Sequence, residues 1–261
     1  MFSFDRAGDI FAKFGEKLFA GLISTIILSL FGTVVGLFLG IFIAYGKKWK
    51  AKPTANKFAS FWIAVVRWFC TAYSIVLRGT PMMVQALIFK YGCAALGFDW
   101  EKVGFSGPLG DVFNGWFFAG LIVITLNTGA YMAEIVQSGL NGVDKGQVEG
   151  ARSLGMKSSE TSFFVILPQA IRNALPMIGN ELIVNIKDSS VLNVISTTEL
   201  YYRMSIASTK TYAQLEGYAI LAVTYLILTL LAAFILKMIE KKLDGQKISL
   251  NPFGRWKRSF V

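Results

Sequence analysis

Histidine is absent from this 261-residue chain, which removes the most common general base and a preferred ligand of transition metals. Its two cysteines, Cys70 and Cys93, stand alone without CxxC spacing, so the sequence has no motif for zinc or dithiol chemistry. No stretch matches GxxxxGK[ST], the loop with which many proteins hold nucleotide phosphates. We therefore expect no catalytic residue, no metal site and no cofactor in this chain.

Charge is also scarce, because charged residues make up 16% of the chain and hydrophobic residues 54%. This composition is too apolar for a soluble domain and predicts a membrane protein with several spans. The uncharged run from Leu18 to Gly46 exceeds the roughly 20 residues that cross a bilayer, and it is too long for a secretory signal. The net charge of +10 comes from lysines and arginines clustered in loops and the tail, where the positive-inside bias places them. Nucleic-acid binding is not expected.

The apolar stretches predict one all-α integral membrane domain over residues 1–261, with five transmembrane helices. The approximate spans are 18–46, 58–97, 113–137, 173–197 and 213–238, and the second is interrupted at Arg78-Gly79-Thr80-Pro81. Separate crossings at 58–77 and 81–97 would make six spans and would place the loop 138–170 outside the cell.

Charge favours five spans with a kinked second one. The segment 47–57 holds five lysines and no acid, and the tail after Lys237 is also basic. Five spans place both on the cytoplasmic side, as the positive-inside bias requires. The expected orientation is an external N-terminus, a cytoplasmic C-terminus and a cytoplasmic loop over 138–170.

That loop carries helix start and stop signals. Asp144 can cap a short helix over Lys145 to Leu154, with Gln147 in the position of a capping-box partner. Gly155 sits where a left-handed residue ends a helix, and a second short helix is expected from Ser158 or Ser159 to Pro168. A solvated connector is the alternative interpretation.

The spacing of residues in the loop resembles the EAA signature found in membrane subunits of bacterial ABC importers. Glu149-Gly150-Ala151 is followed by Gly155 and then by Val165-x-Leu167-Pro168. Gly150 stands where the family usually has alanine, and Val165 where it usually has isoleucine. The resemblance implies a type I ABC importer permease fold with a cytoplasmic coupling-helix loop. The residues it assigns to ATPase coupling are Glu149, Gly150, Ala151, Gly155, Leu167 and Pro168.

Other segments look like the polar amino-acid branch of that family, which includes histidine and glutamine permeases. They include Arg78-Gly79-Thr80-Pro81 with Gln85, Asn127-Thr128, Gly179-Asn180 and Lys187-Asp188-Ser189-Ser190. The resemblance implies an ATP-binding subunit that carries ATP and Mg, and a second permease subunit, identical or related. It also implies an extracellular or periplasmic solute-binding protein, an amino-acid substrate and a bacterial inner (plasma) membrane. This chain would not itself be an enzyme.

Several polar residues within or near the predicted spans are candidates for the substrate pathway: Glu134, Lys187, Asp188, Asn127 and Asn180. An ionised side chain near the bilayer centre costs roughly 2.5–3.5 kcal/mol, so these charges should face protein or water. Structural pairing is the favoured interpretation for Glu134 and Asp188, and Lys187 is expected either to pair with Asp188 or to extend to the membrane boundary. Gly32, Gly36 and Gly40 repeat at four-residue spacing, which suits close helix packing, and a contact with a second permease subunit is one hypothesis for them.

The leading hypothesis is the transmembrane subunit of an ATP-driven amino-acid importer that works by alternating access. One rival is a secondary transporter, in which buried acids would couple an amino acid to a proton or sodium gradient. A second rival is a membrane enzyme or scaffold, for which the sequence offers no recognisable nucleophile and base.

Overall fold

A computed structural model describes residues 3–49, 56–105 and 107–243. Within these ranges the chain forms nine α-helices: α1 (Phe4–Lys48), α2 (Lys57–Gly79), α3 (Met82–Ala95), α4 (Gly115–Asn141), α5 (Lys145–Ser153), α6 (Ser158–Glu160), α7 (Leu167–Asp188), α8 (Leu200–Lys210) and α9 (Gln214–Leu243). Short 3-10 helices cover Trp100–Lys102, Gly107–Asp111 and Ser189–Ile195, and a π-helical segment covers Thr161–Ile166. The predicted all-α membrane class is confirmed.

Helices α1, α2, α4 and α9 are long and apolar enough to cross a membrane. Helix α7 also has 22 residues, but polar side chains such as Asn180 and Lys187 lower its hydropathy. The number of five spans stays a prediction. The basic segment after Trp49 and the tail after Leu243, on which the predicted orientation partly depended, lie outside the described residues.

The second apolar stretch forms two helices, with the break at Thr80-Pro81. Thr80 is extended, with φ −122° and ψ 147°, because a following proline disfavours the helical conformation. Gln85 Nε2 donates to the carbonyl oxygens of Leu77 at 2.8 Å and Thr80 at 3.0 Å. Gln85 thus satisfies carbonyls that the break would otherwise leave without a donor.

Helices α1 and α4 form the closest packed pair, through the glycines of α1. A Cβ added at Gly36 would lie 2.8 Å from Thr128 Cγ2, and one added at Gly40 would lie 2.5 Å from Met132 Cβ. The predicted close packing is therefore present, but it involves α4 of the same chain. The hypothesis that these glycines contact a second subunit is wrong.

A buried polar link joins α7 to this pair. Asn185 Nδ2 donates to Thr33 Oγ1 at 2.8 Å, and Asn185 Oδ1 accepts from Thr128 Oγ1 at 3.0 Å. All three side chains are buried, where a polar group without a partner is costly. The three hydrogen-bonding groups therefore hold α1, α4 and α7 in register.

At the other end of the bundle, α8 packs on the first third of α1. Ile10 and Leu18 contact a cluster that includes Met204 and Ala207. Glu199 caps α8, because its carboxylate accepts from the backbone N–H groups of Tyr201 at 2.8 Å and Tyr202 at 2.7 Å. Burial raises the pKa of Glu199 to about 7.

Candidate functional site

The loop between α4 and α7 begins with the predicted cap. Asp144 Oδ1 accepts from the N–H of Gly146 at 2.6 Å, and Gln147 N donates to the carbonyl of Asp144 at 3.2 Å. The helix that follows, Lys145–Ser153, ends one residue before the predicted Leu154. The N-cap is confirmed, whereas a capping hydrogen bond from the Gln147 side chain is not observed in this part of the chain.

Gly155 ends this helix in the left-handed region, with φ +83°. Its N–H donates to Arg152 O at 2.9 Å, and Met156 N donates to Ala151 O at 3.2 Å, which satisfies carbonyls that a helix end leaves open. No atom lies within 4 Å of a Cβ added at Gly155. The glycine is therefore required by backbone conformation alone, and the predicted left-handed turn is confirmed.

The second short helix does not end at Pro168, so that prediction is wrong. It starts at Ser158, passes through the π-helical segment and continues without interruption into α7, with Pro168 in the first turn of α7. Pro168 comes directly after the change from π-helical to α-helical bonding, where the N–H of Leu167 still donates to Ser162 O, five residues back. Gln169 Nε2 donates to Val165 O at 3.0 Å, which satisfies a carbonyl near the transition.

The coupling loop, defined as residues 142–166, is largely exposed. Glu149 and Gly150 lie on its surface, Ala151 is buried, and Leu167 and Pro168 follow at the start of α7. Leu154 is 86% exposed. A single exposed apolar side chain is ordinary on a protein surface, so Leu154 alone does not separate a surface for another protein from a solvated connector.

Among the candidate pathway residues, Glu134 is held by two cations. Its Oε1 lies 2.5 Å from Lys47 Nζ and 3.1 Å from Arg78 Nη1, so α4 is tied to the ends of α1 and α2. The Arg78 guanidinium also lies over the ring of Tyr131, 5.7 Å from its centroid. These two ion pairs are what we expect if Glu134 has a structural role rather than a role in the substrate pathway.

Asn127 also has a structural position. Its Nδ2 donates to Gln85 Oε1 at 3.0 Å, and its side chain is buried. Asn127 therefore joins α4 to the residue that stabilises the break between α2 and α3.

Helix α7 carries a different arrangement. Asn173, Asn180 and Lys187 recur every seven residues and are all exposed, and we call them the polar stripe. Asp188 is half-buried at the end of the same helix. Sequence reasoning singled out Asn180, Lys187 and Asp188 but missed Asn173, although the seven-residue spacing could have identified it.

A polar face on a membrane helix is costly against lipid, so it is expected to face protein or water. The coupling loop and the polar stripe belong to one continuous helical run from Ser158 to Asp188. A displacement of the loop therefore has a direct mechanical path to the stripe.

The exposed coupling loop and the polar stripe of α7 are consistent with the known proteins that this chain resembles. Residues 36–245 match the family described as the binding-protein-dependent transport system inner membrane component. The chain belongs to this family. A secondary transporter, the first rival, is not supported, and the chain is a permease subunit of an ABC transporter.

Curated relatives cover nearly all of the family region. A putative glutamine transport system permease of Rickettsia conorii is 32% identical over 88% of this chain and 96% of its own length. The arginine transport system permease of Bacillus subtilis is 32% identical over 86% and 91%. The glutamine transport system permease of Escherichia coli is 31% identical over 87% and 92%.

Solved structures show the same fold. A crystal structure of an amino acid ABC transporter with histidines matches with a TM-score of 0.73 and 34% identity, covering 88% of this chain and 96% of that chain. A methionine ABC transporter in inward-facing conformations matches with a TM-score of 0.59 and 18% identity, covering 92% and 99%. The type I importer permease fold predicted by resemblance is therefore confirmed.

Proposed function

We propose that this chain forms the translocation pathway of an ATP-driven importer for a polar amino acid. The single observation that carries the proposal is the continuous helical run from the exposed coupling loop to the polar stripe. The names of the relatives, which specify glutamine and arginine, support an amino acid as the solute.

In this proposal the coupling loop docks on an ATP-binding subunit, which supplies ATP and Mg. Closure of that subunit would push α5, and the turn at Gly155 would transmit the movement to the run that starts at Ser158. Because α6, the π-helical segment and α7 are continuous, the movement would shift Asn180 and Lys187 relative to the facing helices. The pathway would then open alternately to the two sides of the membrane.

The remaining partners complete the importer. A second permease subunit, identical or related, would close the exposed face of α7, since an uncovered polar stripe cannot face lipid without cost. An extracellular or periplasmic solute-binding protein would deliver the amino acid. The complex would lie in the bacterial inner membrane, with the N-terminus outside and both the coupling loop and the C-terminus in the cytoplasm.

The turn at Gly155 provides the test. Gly155→Val should abolish most of the ATP hydrolysis that depends on the loaded binding protein, because a β-branched residue tolerates φ +83° poorly. The matched control is Gly97→Val. Gly97 has φ +76°, and no atom lies within 4 Å of a Cβ added there. Both variants carry a similar backbone strain, of order 1–3 kcal/mol, but only Gly155 lies in the coupling loop.

The measurement is stimulated ATP hydrolysis and amino-acid uptake in proteoliposomes, alongside the amount of folded complex. We expect both variants to assemble equally and only Gly155→Val to uncouple hydrolysis from uptake. Wild-type coupling in Gly155→Val, or an equal loss in Gly97→Val, would contradict the proposed role of the turn.

A further inference from the structure

A second polar feature lies between the middle of α7 and the last turns of α9. A cleft of about 320 Å³ opens there, with Asn180 on the α7 side and Lys237 and Glu240 on the α9 side. Ile183 and Leu236 supply apolar wall. The two helices approach closely next to the cleft, since a Cβ added at Gly179 would lie 3.1 Å from Leu236 Cδ2.

The charges of this cleft have no protein partner in the described part of the chain. Lys237 and Glu240 lie one helical turn apart and are both half-buried, but no ion pair within 4 Å joins them to each other or to another described residue. Glu134, in contrast, has two cations within 3.1 Å. Charged groups that are partly removed from water and have no ion-pair partner destabilise the folded protein. This cost indicates a bound ligand that supplies the missing partners.

The chemistry of the three polar groups defines that ligand. Glu240 can accept hydrogen bonds from an ammonium group, and Lys237 can donate to a carboxylate. The Asn180 amide both donates and accepts, so it can bond to a polar side chain. Ile183 and Leu236 can contact the methylene groups between the two ends of the ligand.

We propose that this cleft binds a free, zwitterionic amino acid, with its α-carboxylate on Lys237 and its α-ammonium on Glu240. The inference deepens the proposed function, because Asn180 belongs to both the cleft and the polar stripe and so connects the cleft with the pathway. Both charges of the cleft lie in the last turns of α9, opposite the middle of α7.

The alternative is that both side chains extend to water at the membrane boundary, as lysines near helix ends often do. A snorkelling pair would have no preference among solutes. Recognition of a zwitterion, in contrast, requires both charges at once, so analogues that lack one charge distinguish the two cases.

The experiment uses the complex as purified with its co-isolating subunits, reconstituted in nanodiscs without nucleotide or binding protein. Binding of radiolabelled L-glutamine and L-arginine is measured, with N-acetyl-L-glutamine and 4-aminobutanamide as competitors that lack the ammonium and the carboxylate, respectively. In the wild type, each analogue of glutamine should compete about tenfold or more weakly than L-glutamine. Lys237→Gln should remove the discrimination against 4-aminobutanamide, and Glu240→Gln the discrimination against N-acetyl-L-glutamine.

The matched control is Lys242→Gln, an exposed lysine of the same helix end that does not line the cleft. It should leave binding of the amino acid unchanged. No amino-acid binding in the wild type, wild-type selectivity in both cleft variants, or an equal loss in Lys242→Gln would overturn the inference. ATP-driven uptake by the wild-type complex in liposomes is measured in parallel, because its absence would overturn the proposed function itself.

Discussion

Helices α1 and α9 are similarly apolar, but they are buried to very different extents. The most apolar windows of the two helices have mean hydropathies of 2.6 and 2.7, yet 39% of the residues in the α1 window are buried and only 6% of those in the α9 window. The difference comes from glycine spacing. Gly32, Gly36 and Gly40 let α1 approach α4 closely, whereas α9 has no comparable row of small residues.

The comparison shows that hydropathy places a helix in the membrane without deciding what it packs against. Helix α1 is locked to α4 within the chain. Helix α9 contacts α7 and α8 but leaves most of its surface open. Lys237 and Glu240, which have no ion pair within the described residues, line its cleft against α7. The α1 side therefore supplies rigidity, while the α9 side is open, as the proposed second subunit and the proposed amino-acid site require.

The largest effect is expected where α1 meets α4. Gly40→Ala places a Cβ within 2.8 Å of the Met132 and Ala133 backbone, so the helices must separate, at a cost of about 3 kcal/mol. Gly15→Ala is the matched control, because no atom lies within 4 Å of its added Cβ. Thermal unfolding of the purified chain should show a much lower Tm for Gly40→Ala alone. Equal Tm values would mean that glycine spacing does not distinguish α1 from α9.

An intermediate effect is expected in α7, the helix between the two sides. Asn185→Ala leaves the hydroxyls of Thr33 and Thr128 without their partner, which should lower the free energy of unfolding by about 2 kcal/mol. Asn180→Ala, on the exposed face of the same helix, should leave stability unchanged and alter amino-acid uptake instead. A loss of stability at both positions would contradict the division of α7 into a structural face and a pathway face.

The smallest effect concerns the ion pairs of Glu134. Its side chain is 37% exposed, so solvent screens the interaction and Glu134→Gln should cost only about 1 kcal/mol. A double-mutant cycle with Lys47→Met, read by thermal unfolding, should give a coupling energy that falls as salt rises. If Glu134→Gln leaves stability unchanged but raises the KM for uptake, Glu134 belongs to the substrate pathway, which is the hypothesis drawn from the sequence.

Local features of the chain could be predicted because they depend on neighbouring residues. The Asp144 cap, the left-handed Gly155 and the extended Thr80 before Pro81 all follow from backbone rules that act over a few positions. The end of the second loop helix was predicted wrongly for a related reason. A proline can stop one helix or begin another, and only the π-helical segment before Leu167 determined which of the two occurred.

The candidate site was harder to predict, because partners far apart in the chain decide the role of each polar residue. Glu134 and Asp188 had equal standing as pathway candidates in the sequence. In the structure, Lys47 lies against Glu134 from 87 residues away, whereas no ion pair within 4 Å joins Asp188 to a cation among the described residues. Lys237 and Glu240 were not among the predicted site residues, because only the fold places them beside Asn180.

The sequence by itself determined the membrane class, the family and the geometry of the coupling-loop turn, since composition, motif spacing and glycine at a left-handed position are local properties. Only the tertiary structure decided which polar side chains are paired and which remain open. That outcome depends on how each helix is rotated about its axis, and uniformly apolar helices carry little information about their rotation. Close contacts at Gly36 and Gly40, together with the Asn185 hydrogen bonds, set that rotation.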